Sequence, residues 1–250
     1  MKKIRIQNHL DSTYLKTPEQ AGISKEETKK NVQELIQECI DNRFVLAMIR
    51  PEFVKMAKEM ILKADSDVLV GTVIGFHQGI ASVEEKLKEA QQAIEDAVDE
   101  LDYVINYTAF KAGAIALVEG EVLAGTKTGL DRAKKVKWII EIAALTDSQI
   151  AAISRLIRDV VVANFDKNQL ADVFVKSSTG FYKTTDGKPV GATFKGMQII
   201  KDNAGPLSIK AAGGVRNYKD AIKMIQLGVS RIGTSSAKKI ADGEDTDVGY

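Results

Sequence analysis

Two lysines stand in matching strand-like contexts: Lys176 in Val173-Phe174-Val175-Lys176-Ser177-Ser178-Thr179-Gly180, and Lys210 in Leu207-Ser208-Ile209-Lys210-Ala211-Ala212-Gly213-Gly214. Burying an ammonium among apolar and β-branched residues is costly, and the cost falls when the amine is neutral or an anion lies beside it. Each run ends in a turn rich in glycine or hydroxyl side chains, where backbone N–H groups can face a phosphate. The pair therefore suits an enzyme that forms an imine with a phosphorylated carbonyl compound. A solitary lysine in an apolar run ordinarily marks a strand end, with its ammonium in water. Two of them about one βα unit apart, each followed by such a turn, favour the chemical reading.

A lysine nucleophile must be neutral, and at an unperturbed pKa of about 10.4 only about one molecule in 2500 is neutral at pH 7. Burial and a second ammonium both lower the pKa, so Lys210 is expected to perturb Lys176, or the reverse. Asp102, in Glu100-Leu101-Asp102-Tyr103-Val104-Ile105-Asn106, is expected to have a raised pKa in its apolar strand and, with a water, to shuttle protons. A salt bridge from Asp102 to one of the lysines is the simpler reading, and the two are compatible. The turns Ala212-Gly213-Gly214-Val215-Arg216 and Gly233-Thr234-Ser235-Ser236 allow close backbone approach to an anion, and Thr179-Gly180 offers a third wall. Other polar residues on or just after candidate strands are Asp11, Thr13, Asn106, Lys137, Glu141 and Ser178. Because strand residues alternate between two faces, these cannot all point to one site. Asp11 and Thr13 are the two of these expected to meet substrate.

The elements that must position these groups follow from periodicity. Short β-branched runs near His9–Leu15, Phe44–Arg50, Val68–Gly75, Leu101–Tyr107, Val136–Ile142, Val173–Ser178, Leu207–Ala212 and Arg231–Thr234 alternate with amphipathic stretches, the βαβα pattern of a parallel sheet. Helices are expected over Glu26–Asn42, Glu52–Ala64, Ser82–Val98, Val118–Lys134, Ser148–Asn164, Phe194–Asn203 and Lys219–Leu227, with a last one from about Ser235. Thr146-Asp147-Ser148-Gln149 can cap a helix start, and Gly228 can stop one. Eight strands in 250 residues fit a closed α/β barrel, a single-domain (β/α)8 TIM barrel over 1–250, better than an open sheet. In such a barrel the loops after the seventh and eighth strands commonly hold a phosphate. The tail over 241–250 is polar, carries glycines and is expected to be flexible.

Composition narrows the function. Lys+Arg 35 against Asp+Glu 34 leaves a formal charge of +1, so no global basic field attracts nucleic acid or an acidic membrane, and any phosphate site must be local. No apolar run reaches the length of a membrane span or follows the N-terminal lysines as a leader would. The lone Cys39 sits in a helical pattern, excludes an intrachain disulfide framework and fits a reducing cytoplasm. With only His9 and His77, a Cys/His metal cluster is not expected.

At these residues the chain resembles the 2-deoxy-D-ribose-5-phosphate aldolase family over nearly its whole length. The resemblance is carried by Leu10-Asp11-Ser12-Thr13-Tyr14-Leu15-Lys16, Gly71-Thr72-Val73-Ile74-Gly75-Phe76-His77, Asp99-Glu100-Leu101-Asp102 and Lys137-Trp138-Ile139-Ile140-Glu141. Its strongest motifs are Phe174-Val175-Lys176-Ser177-Ser178-Thr179-Gly180 and Ile209-Lys210-Ala211-Ala212-Gly213-Gly214-Val215-Arg216. It implies a lyase that reversibly cleaves 2-deoxyribose 5-phosphate to glyceraldehyde 3-phosphate and acetaldehyde, with no metal and no organic cofactor. Lys176 matches the Schiff-base lysine, Lys210 the lysine that lowers its pKa, and Asp102 the carboxylate of the proton relay. Gly180, Gly213, Gly214, Gly233, Ser235 and Ser236 fall at phosphate-binding turns. The chain stops on Tyr250, as some members do, and its phenol is expected to relay a proton of the imine methyl group. The sequence departs from common family residues at Met48, Asn106, Ile142 and Phe181. The expected partners are a small sugar phosphate and acetaldehyde, and a homodimer is an assembly the resemblance allows. Read from the residues alone, another lysine-dependent barrel aldolase and a non-catalytic sugar-phosphate-binding barrel stay open.

Overall fold

The computed structural model describes residues 4–184, 187 and 189–243. Eight parallel strands, β1 (Leu10–Thr13), β2 (Leu46–Ile49), β3 (Leu69–Ile74), β4 (Glu100–Val104), β5 (Lys135–Ile139), β6 (Val173–Lys176), β7 (Ser208–Ala212) and β8 (Arg231–Thr234), pair in sequence order. β8 returns to β1, with Leu10 opposite Ile232 and Asp11 opposite Gly233, and the sheet closes as a single-domain (β/α)8 barrel. Ten helices lie among the described residues: α1 (Pro18–Ala21), α2 (Lys25–Asn42), α3 (Val54–Lys63), α4 (Val83–Glu95), α5 (Tyr107–Lys111), α6 (Ile115–Leu130), α7 (Asp147–Asn164), α8 (Phe194–Ala204), α9 (Tyr218–Leu227) and α10 (Ala237–Ala241). None is long and apolar enough to cross a membrane.

Local chemistry sets the helix boundaries. Ser24, Ser82 and Thr146 each accept from the backbone N–H three residues on, where a Glu or Gln reaches back to the cap, so exposed N–H groups at the first turn are satisfied. Gly228 ends α9 at φ 109°, a conformation open to a residue without a Cβ.

Period-two alternation divides the strand residues between two environments. Val70, Leu101, Tyr103, Val136, Trp138, Val175, Ile209 and Ile232 belong to the large core between barrel and helices, which also buries Cys39. Burial there pushes the Cys39 thiol pKa up, as expected of a packing residue. A second, small apolar cluster of Leu15, Leu46, Met48 and Val73 fills the β1–β3 side of the barrel interior. The other side is charged. Close packing holds the strands that bear these charges: Trp138 stacks on Tyr103 with centroids 4.9 Å apart, and its indole N–H donates to Thr126 at 3.0 Å. α6 approaches through glycines, for a Cβ on Gly125 would lie 2.7 Å from the Trp138 ring, and one on Gly129 2.3 Å from Val136.

Candidate active site

The charged side of the interior is built by β1 and β4–β8. Asp102, on β4, is fully buried. Its Oδ1 accepts from Lys137 Nζ at 2.6 Å, and its Oδ2 from both Lys176 Nζ at 2.7 Å and Lys210 Nζ at 3.0 Å. Lys176 and Lys210 are register partners across β6 and β7. Lys210 also pairs with Asp11 Oδ2 at 2.6 Å, and Lys137 with Glu100 Oε2 at 2.5 Å. Arg231 joins the two ends of the network, at 2.6 Å from Asp11 Oδ1 and 3.0 Å from Glu100 Oε1. A Cβ on Gly233 would stand 3.2 Å from Lys210 Cε, so the glycine leaves room for that side chain.

Four cationic side chains thus face three carboxylates. The buried cluster is balanced when one cation gives up its proton. Burial lowers the Lys176 amine and the neighbouring Lys210 lowers it further, against the pull of Asp102, to about 8. Burial pushes the Asp102 carboxyl up, yet Lys137, Lys176 and Lys210 together hold it well below the usual carboxylate range. That corrects the expectation of a raised Asp102: the apolar strand supplies desolvation, but three ammonium groups at hydrogen-bond distance outweigh it. Asp11 is lowered in the same way, burial being outweighed by Arg231, Lys210 and Lys137.

Above this layer, at the C-terminal ends of the strands, lie two cavities that share Gly180. One is small and is lined by Gly180, Gly213, Gly214, Arg216, Ser235 and Ser236, among others. Gly213 and Gly214 take φ 69° and 80°, which presents consecutive backbone groups in a turn closed to most side chains. The loop after β6 lies directly against it: Ala192 N–H donates to Ala212 O at 3.1 Å and Gly213 O at 2.9 Å. The other cavity, about 770 Å³, opens at the mouth beside Lys16, His77, Tyr107, Phe181 and Lys183. Phe181 packs on the small apolar cluster and stacks on His77 and edge-on to Phe76. An amine that is readily neutral thus lies below a cationic, glycine-lined recess, a layout suited to a carbonyl compound with an anionic tail.

Among the expected site residues, the structure brings Lys176, Lys210 and Asp102 together, and separately Gly180, Gly213, Gly214, Ser235 and Ser236. It places others elsewhere. Asp11 is engaged by Lys210 and Arg231 within the ion-pair layer and has no exposed surface, because strand parity turns it inward below the mouth. Thr13 donates to the Asp11 carbonyl at 2.9 Å. Gly233 lies within β8, not in the turn that follows. Thr179 gives its backbone N–H, at 3.2 Å, and its hydroxyl to Glu141 Oε2. Tyr250 lies outside the described residues. Sequence reasoning assigned no role to Lys137, Glu100 or Arg231. Their signal was the i, i+2 spacing of Glu100 with Asp102 and of Lys135 with Lys137, which puts charges on one strand face.

No family model matches the chain. It is 36% identical over 244 residues to a deoxyribose-phosphate aldolase of Thermococcus kodakarensis, covering 97% of this chain and 98% of the relative. It is 34% identical over 248 residues to one of Streptococcus pneumoniae serotype 19F, covering 99% and 100%. The solved structure of a deoxyribose phosphate aldolase from Aeropyrum pernix, described as a unique tetramer, superposes with a TM-score of 0.75 at 29% identity over 95% of this chain and 89% of that one. A structure described as QR15, an aldolase, gives 0.80 at 29% identity over 96% of both chains. With close agreement over the full length of curated relatives and over the barrel that carries the lysine cluster, the chain belongs to the deoxyribose-phosphate aldolase family.

Proposed function

We propose that this enzyme reversibly cleaves 2-deoxy-D-ribose 5-phosphate to D-glyceraldehyde 3-phosphate and acetaldehyde through a Schiff base on Lys176. The observation that carries the reading is the shared Asp102 oxygen, which holds Lys176 and Lys210 together while the Lys176 amine is lowered to about 8. At pH 7 about one Lys176 in ten is then neutral, against about one in 2500 for a free lysine.

In this reading Lys176 adds to the aldehyde carbon of the open-chain sugar phosphate, and loss of water gives an iminium ion. The iminium draws in the electrons of the bond between the second and third carbons while the hydroxyl on the third carbon gives its proton to water, releasing glyceraldehyde 3-phosphate and leaving an enamine. Protonation and hydrolysis then free acetaldehyde. Lys210 keeps the amine reactive. Asp102, held ionised by three lysines, orients both amines and passes protons by way of water without storing one at rest. The phosphate fits the recess of Gly180, Gly213, Gly214, Ser235 and Ser236, where Arg216 adds positive charge. The reading needs no metal or organic cofactor, and a cytoplasmic, self-assembled enzyme accords with it; the Aeropyrum pernix relative is tetrameric.

Reduction with borohydride in the presence of acetaldehyde tests the proposal. Mass spectrometry of the digested protein should find one ethyl group, on Lys176; an adduct on Lys210, or none, would overturn the assignment.

A further inference from the structure

One buried acid above the nucleophile is not used by these steps. Glu141 lies just beyond β5 at φ 55° and ψ 70°, a left-handed conformation unfavourable for a residue with a Cβ. Strand register locates it. Ile139 pairs with Lys176, so Glu141 and Ser178, each two residues further along, belong one layer closer to the mouth. The side chain of Glu141 is held on one oxygen only, by the backbone N–H and hydroxyl of Thr179. Its other oxygen, Oε1, and the Ser178 hydroxyl are both buried; the hydroxyl lies close enough to act on the carboxyl, and neither has a well-formed hydrogen bond to any other described residue. Unpartnered buried polar atoms are rare. Two of them directly above a nucleophile point to a ligand that supplies the missing partners.

We propose that Glu141 is a further catalytic residue, the acid that protonates the hydroxyl of the carbinolamine on Lys176 so that it leaves as water, with Ser178 orienting that hydroxyl. This rests on the Schiff-base reading. The carbinolamine carries nitrogen and hydroxyl on one carbon. Glu141 gives its proton to the oxygen, the carbon–oxygen bond breaks with its electron pair staying on oxygen, and the nitrogen lone pair forms the carbon–nitrogen double bond. Water, an iminium ion and the Glu141 carboxylate result, and hydrolysis of the final iminium returns the proton. Other acids nearby are poorly placed for this. Asp102 is held ionised, and the Lys210 ammonium is bound by Asp11 and Asp102. Burial pushes Glu141 up to about 7 against the opposing Thr179 hydrogen bonds and the charge of Lys176. Among the described residues the Tyr107 phenol also faces it, itself raised by burial and by Glu141. Near neutrality Glu141 therefore keeps a proton to give, in the range where acid catalysis is efficient.

The test is rapid-quench borohydride trapping of the acetaldehyde adduct across pH in the parent and in Glu141→Gln, whose amide oxygen can still accept from Thr179. In the parent the trapping rate should rise as Lys176 loses its proton and fall as Glu141 loses its own, the two limbs belonging to the coupled pair. Glu141→Gln should trap about a hundredfold more slowly and lose the falling limb, with inorganic phosphate inhibition and the thermal midpoint unchanged. Parental rates with the limb retained would overturn the proposal, as would slowing that comes with a lower thermal midpoint and weaker phosphate inhibition. Should the glutamine variant fail to fold, Ser178→Ala decides: about tenfold slower trapping with both limbs in place supports the assignment, and parental trapping refutes it. Absence of any adduct in the parent would instead defeat the Schiff-base reading itself.

Discussion

Replacing Lys210 with leucine removes one of two ammonium groups that bond the same carboxylate oxygen. The Lys176 and Lys210 nitrogens lie 2.7 and 3.0 Å from Asp102 Oδ2. Their separation is therefore no more than about 6 Å; at about 5 Å and an effective dielectric constant of about 20, two unit charges repel by about 3 kcal/mol, or about two pK units. Losing that repulsion should carry Lys176 from about 8 to about 10. Asp11 and Asp102 would also each lose a cationic partner, which favours the charged amine further, so about two units is a lower bound.

The neutral fraction at pH 7 would then fall from about one in ten to about one in a thousand. In Lys210→Leu, kcat/KM for cleavage of 2-deoxyribose 5-phosphate should drop about a hundredfold at pH 7, and its acid limb should move up by about two units. Lys210→Arg keeps the charge and should keep the limb near its parental position. If the leucine variant retains the parental limb, burial alone lowers the amine and the electrostatic argument fails.

Two further substitutions probe the parts that hold the site. Lys86 is buried, donates to Gly79 O at 2.6 Å and Val104 O at 2.8 Å, and pairs with Glu121; Lys86→Met should cost about 3–5 kcal/mol in urea unfolding because the Glu121 carboxylate is left buried without its cation, with only the Asn106 N–H donating to it, and adding Glu121→Gln should restore part of it. A loss under about 1 kcal/mol would show that the pair is immaterial. A Cβ on Gly191 would fall 2.4 Å from the Gly213 carbonyl carbon, so Gly191→Ala should lift the loop from the glycine turn and raise KM for the sugar phosphate about tenfold. Turnover of an unphosphorylated aldehyde should stay as it was; equal damage to both substrates would show a global effect.

The barrel was legible because its signal is local and repeated. All eight expected strands occur, although several end earlier than the apolar runs suggest. Leu101–Tyr107 was expected, but the strand stops at Val104 since the Asn106 side chain accepts from Ala109 N–H and starts α5. That helix and α1 have five and four residues, too few to show a helical period. Lys176 and Lys210 were legible as charges among apolar strand residues, and the glycines at 213 and 214 as a turn open to close backbone approach. The direction of the Asp102 shift was not legible. It depends on ammonium groups from three other strands, the nearest in sequence 35 residues away, and a local window reads only the desolvation.

The same non-local arithmetic explains how the Lys176 amine is lowered although a carboxylate lies at its side. A barrel interior of β-branched residues would fill itself with apolar side chains, as the cluster of Leu46, Met48 and Val73 does on one side. On the other side, seven ionisable residues are buried, and each is tolerable only because an opposite charge lies at contact distance. Three carboxylates can balance three cations, and Arg231, with two acidic partners, remains charged throughout. Lys137 likewise lies between Glu100 and Asp102, and Lys210 between Asp11 and Asp102. Among the described residues Lys176 pairs with one carboxylate, and that oxygen is shared with Lys210. It is therefore the cation whose proton is held least, and it lies at the C-terminal end of β6, where the barrel opens. The readily neutral amine follows from the imbalance of the whole layer, which ties Lys176 to residues such as Asp11 and Glu100 that need never touch a substrate.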